Sequence, residues 1–245
     1  MEGKNREQVK PYRKSADYSY TLGAFPTIEL IKSKTAKVRE VFVHSTFTDA
    51  ENLAGLCREN GIPLRISDKQ IARLSDKENV FVIGVFEKYE QELDTAKSQI
   101  VLVNPSNMGN LGTILRTAVG FGIYDIALIS PAVDVFNPKV VRSSMGALFR
   151  LRHKYFDNFE AYRAQNKEQE VFTFMLNGKK PLTVADCPKP ELFTLVFGNE
   201  ATGLDDMYLD VGTSVIIPQS PDVDSLNLTI AVGIGTYLFT QARAK

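Results

Sequence analysis

No stretch of the 245-residue chain approaches the roughly 20 consecutive apolar residues that a membrane-spanning helix needs. The opening residues, MEGKNREQVKPYRK, are charged and lack the apolar core of a secretory signal. Cysteine is scarce. Cys57 and Cys187 lie far apart, which points to two reduced thiols in a cytoplasmic protein and not to a disulfide framework. Histidine is equally scarce, with His44 and His153 isolated from each other. No Cys/His/Asp cluster has metal-ligand spacing, so no metal is expected. Formal net charge is zero, so the whole-chain field gives no pull toward nucleic acid. Glycine-rich phosphate loops are missing too. There is no G-x-G-x-x-G at the first strand–helix turn and no Walker A lysine. Ser225 has no G-x-S-x-G elbow and no histidine in its loop to act as base, which removes a serine hydrolase.

What is present is organised. Five basic residues (Lys4, Arg6, Lys10, Arg13, Lys14) against Glu2 and Glu7 make residues 1–17 a basic N-terminal arm. Such an arm either follows a phosphate backbone or is a solvated tail. Residues 18–88 read as a small α/β unit. "TLGAFPTIELIKSK" and "DAENLAGLCRENG" are helical, the second with Leu53, Leu56 and Cys57 at helical spacing, Asp49 as N-cap and Gly61 as its stop. "VREVFVHS", "IPLRIS" and "VFVIGVF" read as strands. The polar stretch around residues 89–99 reads as a linker, either flexible or an exposed helix.

Residues 100–245 read differently. "IVLVN", "DIALIS", "VFTFML", "FTLVFG" and "SVIIP" are short runs, apolar on both faces, alternating with helical stretches. That pattern predicts a mainly parallel sheet covered on both sides, with ligands bound beyond the carboxyl ends of the strands. Three loops at those ends carry Asn, Gly and Ser in place of ordinary surface charge: "NPSNMGNLGTILRT", "GNEATGL" and "QSPDVDSLNLT". Turn chemistry alone favours these residues, but three such loops together point to one shared pocket. Gly233 and Gly235, inside the apolar "AVGIGTYL", suit close packing of a helix against a neighbour.

In order and spacing, "NLGTILRTAVGFG" (110–122), "LVFGNEATGL" (195–204) and "IIPQ…DSLNLTIA" resemble the three signature motifs of the SpoU/TrmH family of SPOUT RNA methyltransferases. The region 18–88 is similar, more diffusely, to the L30e-like RNA substrate-binding domain that often precedes the catalytic domain. The resemblance implies an α/β fold with a trefoil-knotted, mainly parallel sheet. It also implies S-adenosylmethionine as methyl donor, a homodimer, and transfer to a ribose 2′-hydroxyl of rRNA or, second, tRNA. Methylation of an RNA base, or a non-catalytic RNA-binding module of the same fold, are the alternatives. Three departures are visible. "NPSNMGN" stands where the family commonly has Asp-Pro, Ala201 stands where Gly is frequent, and the first domain lacks the family's His-Gln-Gly.

Carried over by position, the resemblance makes Leu176, Asn177, Gly198, Ile217 and Leu226 cofactor-binding, largely through backbone groups. It makes Asn110, Arg116, Glu200, Ser225 and Asn227 catalytic, and Arg142 an RNA contact. Arg116 corresponds to the family's proposed general base, yet a guanidinium stays protonated above pH 12. A bidentate clamp on an RNA phosphate suits it better. Glu200 requires a partner for a buried carboxylate. Ser225 and Asn227 are also able to cap the helix that follows them.

Overall fold

A computed structural model describes residues 9–241. Residues 1–8, which include Lys4 and Arg6 of the basic arm, lie outside the described residues. The chain forms two units: residues up to Lys88 together with Phe136–Arg142, and Tyr89–Val135 together with Ser143 onward.

The first unit contains β1 (Tyr18–Tyr20), α1 (Ala24–Lys34), β2 (Val38–Val43), α2 (Ala50–Glu59), β3 (Leu64–Ile66), α3 (Asp68–Leu74) and β4 (Val82–Glu87). Its sheet runs β1-β4-β2-β3, with only β2 and β3 parallel. Residues of β4 are buried on both faces up to Phe86 because this strand is central. Helix α2 turns Leu53 and Cys57 into the core, as its spacing predicts, and ends before Gly61, whose φ is +65°. Asp49 holds the N-cap position but caps no amide; its carboxylate accepts from the Asn52 side chain instead. The segment 136–142 joins this unit through Phe136, whose carbonyl accepts from the Ser19 hydroxyl and whose ring meets Phe86.

The second unit carries β5 (Gln99–Val103), α4 (Met108–Gly120), β6 (Asp125–Ile129), β7 (Arg152–Phe156), α6 (Phe159–Gln165), β8 (Glu170–Phe174), β9 (Lys180–Pro181), β10 (Phe193–Phe197), β11 (Thr213–Ile216) and α7 (Leu228–Gln241), while α5 (Pro138–Ser143) belongs, but for Ser143, to the first. Seven strands form one sheet in the order β7-β6-β5-β10-β8-β11-β9, and every pair in it is parallel. This is the doubly covered parallel sheet that the apolar runs predict. The three strands β6, β5 and β10 are buried at every residue. Edge strands β7 and β9 are charged and partly exposed, so period and hydropathy conceal them.

Helix α7 covers one face by closing over Phe172, Phe193 and, through Gly235, the ring of Phe174. A Cβ on Gly235 would lie 2.5 Å from that ring, so the helix approaches this closely only as glycine. Gly233 instead faces Thr117 of α4, with which α7 packs. Each fully buried Phe here contributes about 1.5–3 kcal/mol.

The polar stretch before β5 forms no helix. The Asp94 amide donates to Asp125 (2.8 Å), and the Gln169 side-chain amide donates to the carbonyls of Thr95 (3.1 Å) and Lys97 (2.7 Å). Its polarity reflects backbone groups tied to two buried side chains. Cys57 and Cys187 are free and buried, and burial pushes both thiols up, away from reactivity. Among the described residues no helix is long and apolar enough to cross a membrane.

Candidate functional site: a cleft at the carboxyl ends of three neighbouring strands

Strand order brings the motif loops together. Strands β5, β10, β8 and β11 are consecutive neighbours, all parallel, so their carboxyl ends lie side by side. The loops after β8, β10 and β11 line one cavity of about 300 Å³. That volume lies at the small end of the range for ligand pockets, roughly 300–1,000 Å³. Leu176, Asn177, Gly198, Ile217 and Leu226 all line it, as do Glu200 and Ser225. The apolar wall is Phe174, Phe197, Leu204 and Leu228, and Leu176 stands at the rim, 61% exposed. Among the described residues no Lys, Arg or His lines the cavity. A phosphate would find no countercharge there, in keeping with the missing glycine-rich phosphate loop.

The β10 loop is a tight bracket, and each motif letter has a physical reason. Asn199 and Gly203 exchange both backbone hydrogen bonds, at 3.1 and 2.9 Å. A Cβ on Gly198 would lie 2.1 Å from the Gly203 carbonyl carbon, so only glycine fits. Gly203 itself is left-handed, φ +70°. The Asn199 side chain donates to the Asn104 carbonyl (2.7 Å) and accepts from the Ala201 (2.8 Å) and Thr202 (3.4 Å) amides. Ala201 is not left-handed, which explains why alanine stands without strain where the family often has glycine.

Glu200 has partners, though not an arginine. Its carboxylate accepts from the Ser106 amide (3.1 Å) and hydroxyl (2.8 Å), the Asn107 amide (3.1 Å) and the Asn110 side-chain amide (3.4 Å). Burial pushes the carboxyl up, but the donors from Ser106 and Asn107 outweigh it and hold the group below the usual carboxylate range. Glu200 therefore ties the β10 loop to the β5 loop. The β5 loop does not line the cavity; it braces the loop that does. Asn107 caps α4 by accepting from the Gly109 (2.8 Å) and Asn110 (3.0 Å) amides.

The remaining sequence-predicted residues fall outside the cavity lining. Arg116 sits in the third turn of α4, exposed, and among the described residues has neither a carboxylate nor a carbonyl partner. Asn110 is turned to Glu200. Asn227 caps α7: its side-chain oxygen accepts from the Thr229 amide (2.8 Å) and hydroxyl (2.7 Å). Arg142 belongs to the segment described with the first unit. Reading the sequence misses Ser106, Asn107, Asn199 and Asp206. The N-cap signal of Asn107, a polar residue just ahead of "MGNLGTIL", was available. The other three are placed by long-range geometry.

The model of the SpoU rRNA Methylase family matches residues 97–237. The chain belongs to this family. Among the similar proteins, an uncharacterized tRNA/rRNA methyltransferase of Synechocystis is 35% identical over 147 residues, covering 58% of this chain and 52% of its own. The match thus spans about half of that relative's length. A 23S rRNA (adenosine(1067)-2′-O)-methyltransferase of Streptomyces laurentii is 27% identical over 226 residues, 86% of this chain and 83% of that one. A crystal structure of an AdoMet-bound rRNA methyltransferase from Sinorhizobium meliloti superposes with a TM-score of 0.77 at 26% identity, covering 93% of this chain and 87% of that one. The fold of this SpoU chain is thereby shared with a solved rRNA methyltransferase, and its seven-stranded sheet is parallel throughout.

Proposed function

We propose that this SpoU protein is an S-adenosylmethionine-dependent methyltransferase acting on a ribose 2′-hydroxyl of RNA, rRNA before tRNA. One observation carries the reading: in a SpoU chain, the loops after β8, β10 and β11 converge on a single cavity without basic side chains. S-adenosylmethionine has no phosphate, and its adenine edge needs backbone donors and acceptors, which these loops offer. The Streptomyces laurentii rRNA 2′-O-methyltransferase and the AdoMet-bound Sinorhizobium meliloti rRNA methyltransferase support the same substrate class and cofactor.

When bound, the cofactor supplies an electrophilic methyl group. Gly198, Ile217 and Leu226 hold it through their backbones, with Leu176 and Asn177 at the rim. Glu200 and Asn110 act as positioning residues that keep the β10 loop in register. Ser225 lies at the cavity, where its hydroxyl hydrogen-bonds the incoming ribose, while Asn227 fixes the start of α7 beside it. Alignment of hydroxyl and methyl gives the larger share of the rate, up to about 7–11 kcal/mol for ideal orientation. The exposed guanidinium of Arg116 clamps an RNA phosphate and so places the ribose. Residues 18–88 bind the RNA as an L30e-like domain, and Arg142 adds a basic contact. The catalytic domain, residues 100–245, follows the knotted path of its family.

A second copy completes the enzyme. Helix α7 carries no charge from Leu228 to Gln241, yet Ile230 is 53% and Tyr237 49% exposed. An uncharged, partly bare helix face suits a homodimer contact. A cytoplasmic setting is part of the proposal and is in keeping with rRNA as the substrate. Incubation with methyl-labelled cofactor and total RNA, then digestion to nucleosides, tests the proposal. Label in 2′-O-methylated nucleosides is expected; label in a base, or none, overturns it.

A further inference from the structure

Most polar side chains at the cavity are already committed. Both ends of the Asn199 amide are used within the loops, Glu200 receives four donors, and the Gln219 amide donates to the Asp224 carbonyl (3.4 Å). One carboxylate differs. Asp206 lines the cavity, and among the described residues its single hydrogen bond is from the Asn177 side-chain amide, 3.0 Å to Oδ1. That bond joins the β8 loop to the segment after the β10 loop and fixes the direction of the carboxylate. Oδ2 and the remaining lone pair of Oδ1 are left to accept.

We infer that Asp206, oriented by Asn177, accepts hydrogen bonds from the ribose hydroxyls of the bound nucleoside cofactor. The inference rests on the function proposed above. A vicinal diol presents two donors side by side, and a carboxylate presents acceptors at matching spacing, the pairing by which acidic residues read ribose in nucleotide sites. The loops' backbone N–H groups only donate, and their carbonyls are neutral acceptors, weaker than a carboxylate as partners for a hydroxyl proton. The apolar wall offers nothing to it. Asp206 is therefore the charged acceptor at the cavity with lone pairs still open, and Asn177 is a positioning residue whose amide uses one of them and leaves the others to accept.

Calorimetric titration separates the possibilities. The probes are S-adenosylmethionine, S-adenosylhomocysteine and the 2′-deoxy and 3′-deoxy forms of S-adenosylhomocysteine. For the wild-type protein, removing a hydroxyl is expected to weaken binding about tenfold or more, the usual loss for a hydrogen bond to a charged group. In Asp206→Asn and Asp206→Ala the parent ligand weakens similarly, and removing the hydroxyl costs little more, so the effects are not additive. Asn177→Ala gives a smaller loss with the same non-additivity. Thermal melting of each variant near the wild-type value confirms that the exposed substitutions leave the fold intact. Two results overturn the inference. One is deoxy and parent ligands losing affinity equally in Asp206→Asn. The other is S-adenosylmethionine losing far more than its neutral product, which makes Asp206 a charge partner and not a sugar acceptor. Failure of the wild-type protein to bind either parent ligand would instead refute the proposed function.

Discussion

Replacing Glu200 by Gln keeps the shape of the side chain and removes its charge. The four donors that converge on the carboxylate come from Ser106, Asn107 and Asn110. An amide NH₂ turned toward them meets donors with a donor, so one or two of these bonds are lost. Hydrogen bonds to a charged group contribute about 1.5–3 kcal/mol each in mutational series, less where water competes. Ser106 and Asn107 are exposed and the Asn110 contact is long at 3.4 Å. A loss of about 2 kcal/mol at pH 7 is the expected total. The pH dependence gives the sharper test. The carboxyl is held below its ordinary value of 4.5 in the folded protein. Its contribution is therefore fully present above that value and is lost as pH falls through the lower folded one. Urea unfolding followed by circular dichroism should show wild type above E200Q at pH 7, with the gap closing as the solution is acidified below about pH 4. Cofactor affinity should fall as well, by about tenfold, because the loosened loop lines the cavity. Equal stability at pH 7, or a gap that widens in acid, would refute the bracing role.

Three further outcomes are expected. Gly198→Ala forces a Cβ to 2.1 Å from the Gly203 carbonyl carbon, so the bracket must open; calorimetry should detect no cofactor binding, and stability should drop by about 3 kcal/mol or more. Arg116→Ala should lower kcat/KM for RNA at least about a hundredfold, a loss of roughly 3 kcal/mol in transition-state stabilisation, with cofactor Kd unchanged; full activity would remove Arg116 from the mechanism. Ile230→Glu should shift the protein from dimer to monomer in sedimentation at micromolar concentration, and a dimer that persists would place the contact elsewhere.

Much of the second unit was legible because its central strands are buried on both faces, and burial on both faces leaves a short unbroken apolar run in the sequence. Edge strands β7 and β9 keep one side in water, so Arg152–Phe156 reads as charged loop. The three-residue β1 is too short to show any period. The cavity residues Gly198, Ile217 and Leu226 were reached through motif resemblance, since neither composition nor periodicity sets a glycine or an aliphatic residue of a loop apart. The partners of Glu200 were out of reach for another reason. Ser106 and Asn107 lie over ninety residues away in sequence, and only the adjacency of β5 and β10 makes them neighbours. Asp206 reads as one more acid in "GLDDMYLD" until its bond to Asn177 places it at the rim.

Hydrogen exchange with and without S-adenosylmethionine tests most directly whether these loops form one cofactor cleft. Protection confined to residues 175–178, 198–204 and 216–228 together is the result predicted. Protection of only one of these segments, or of none, would contradict it.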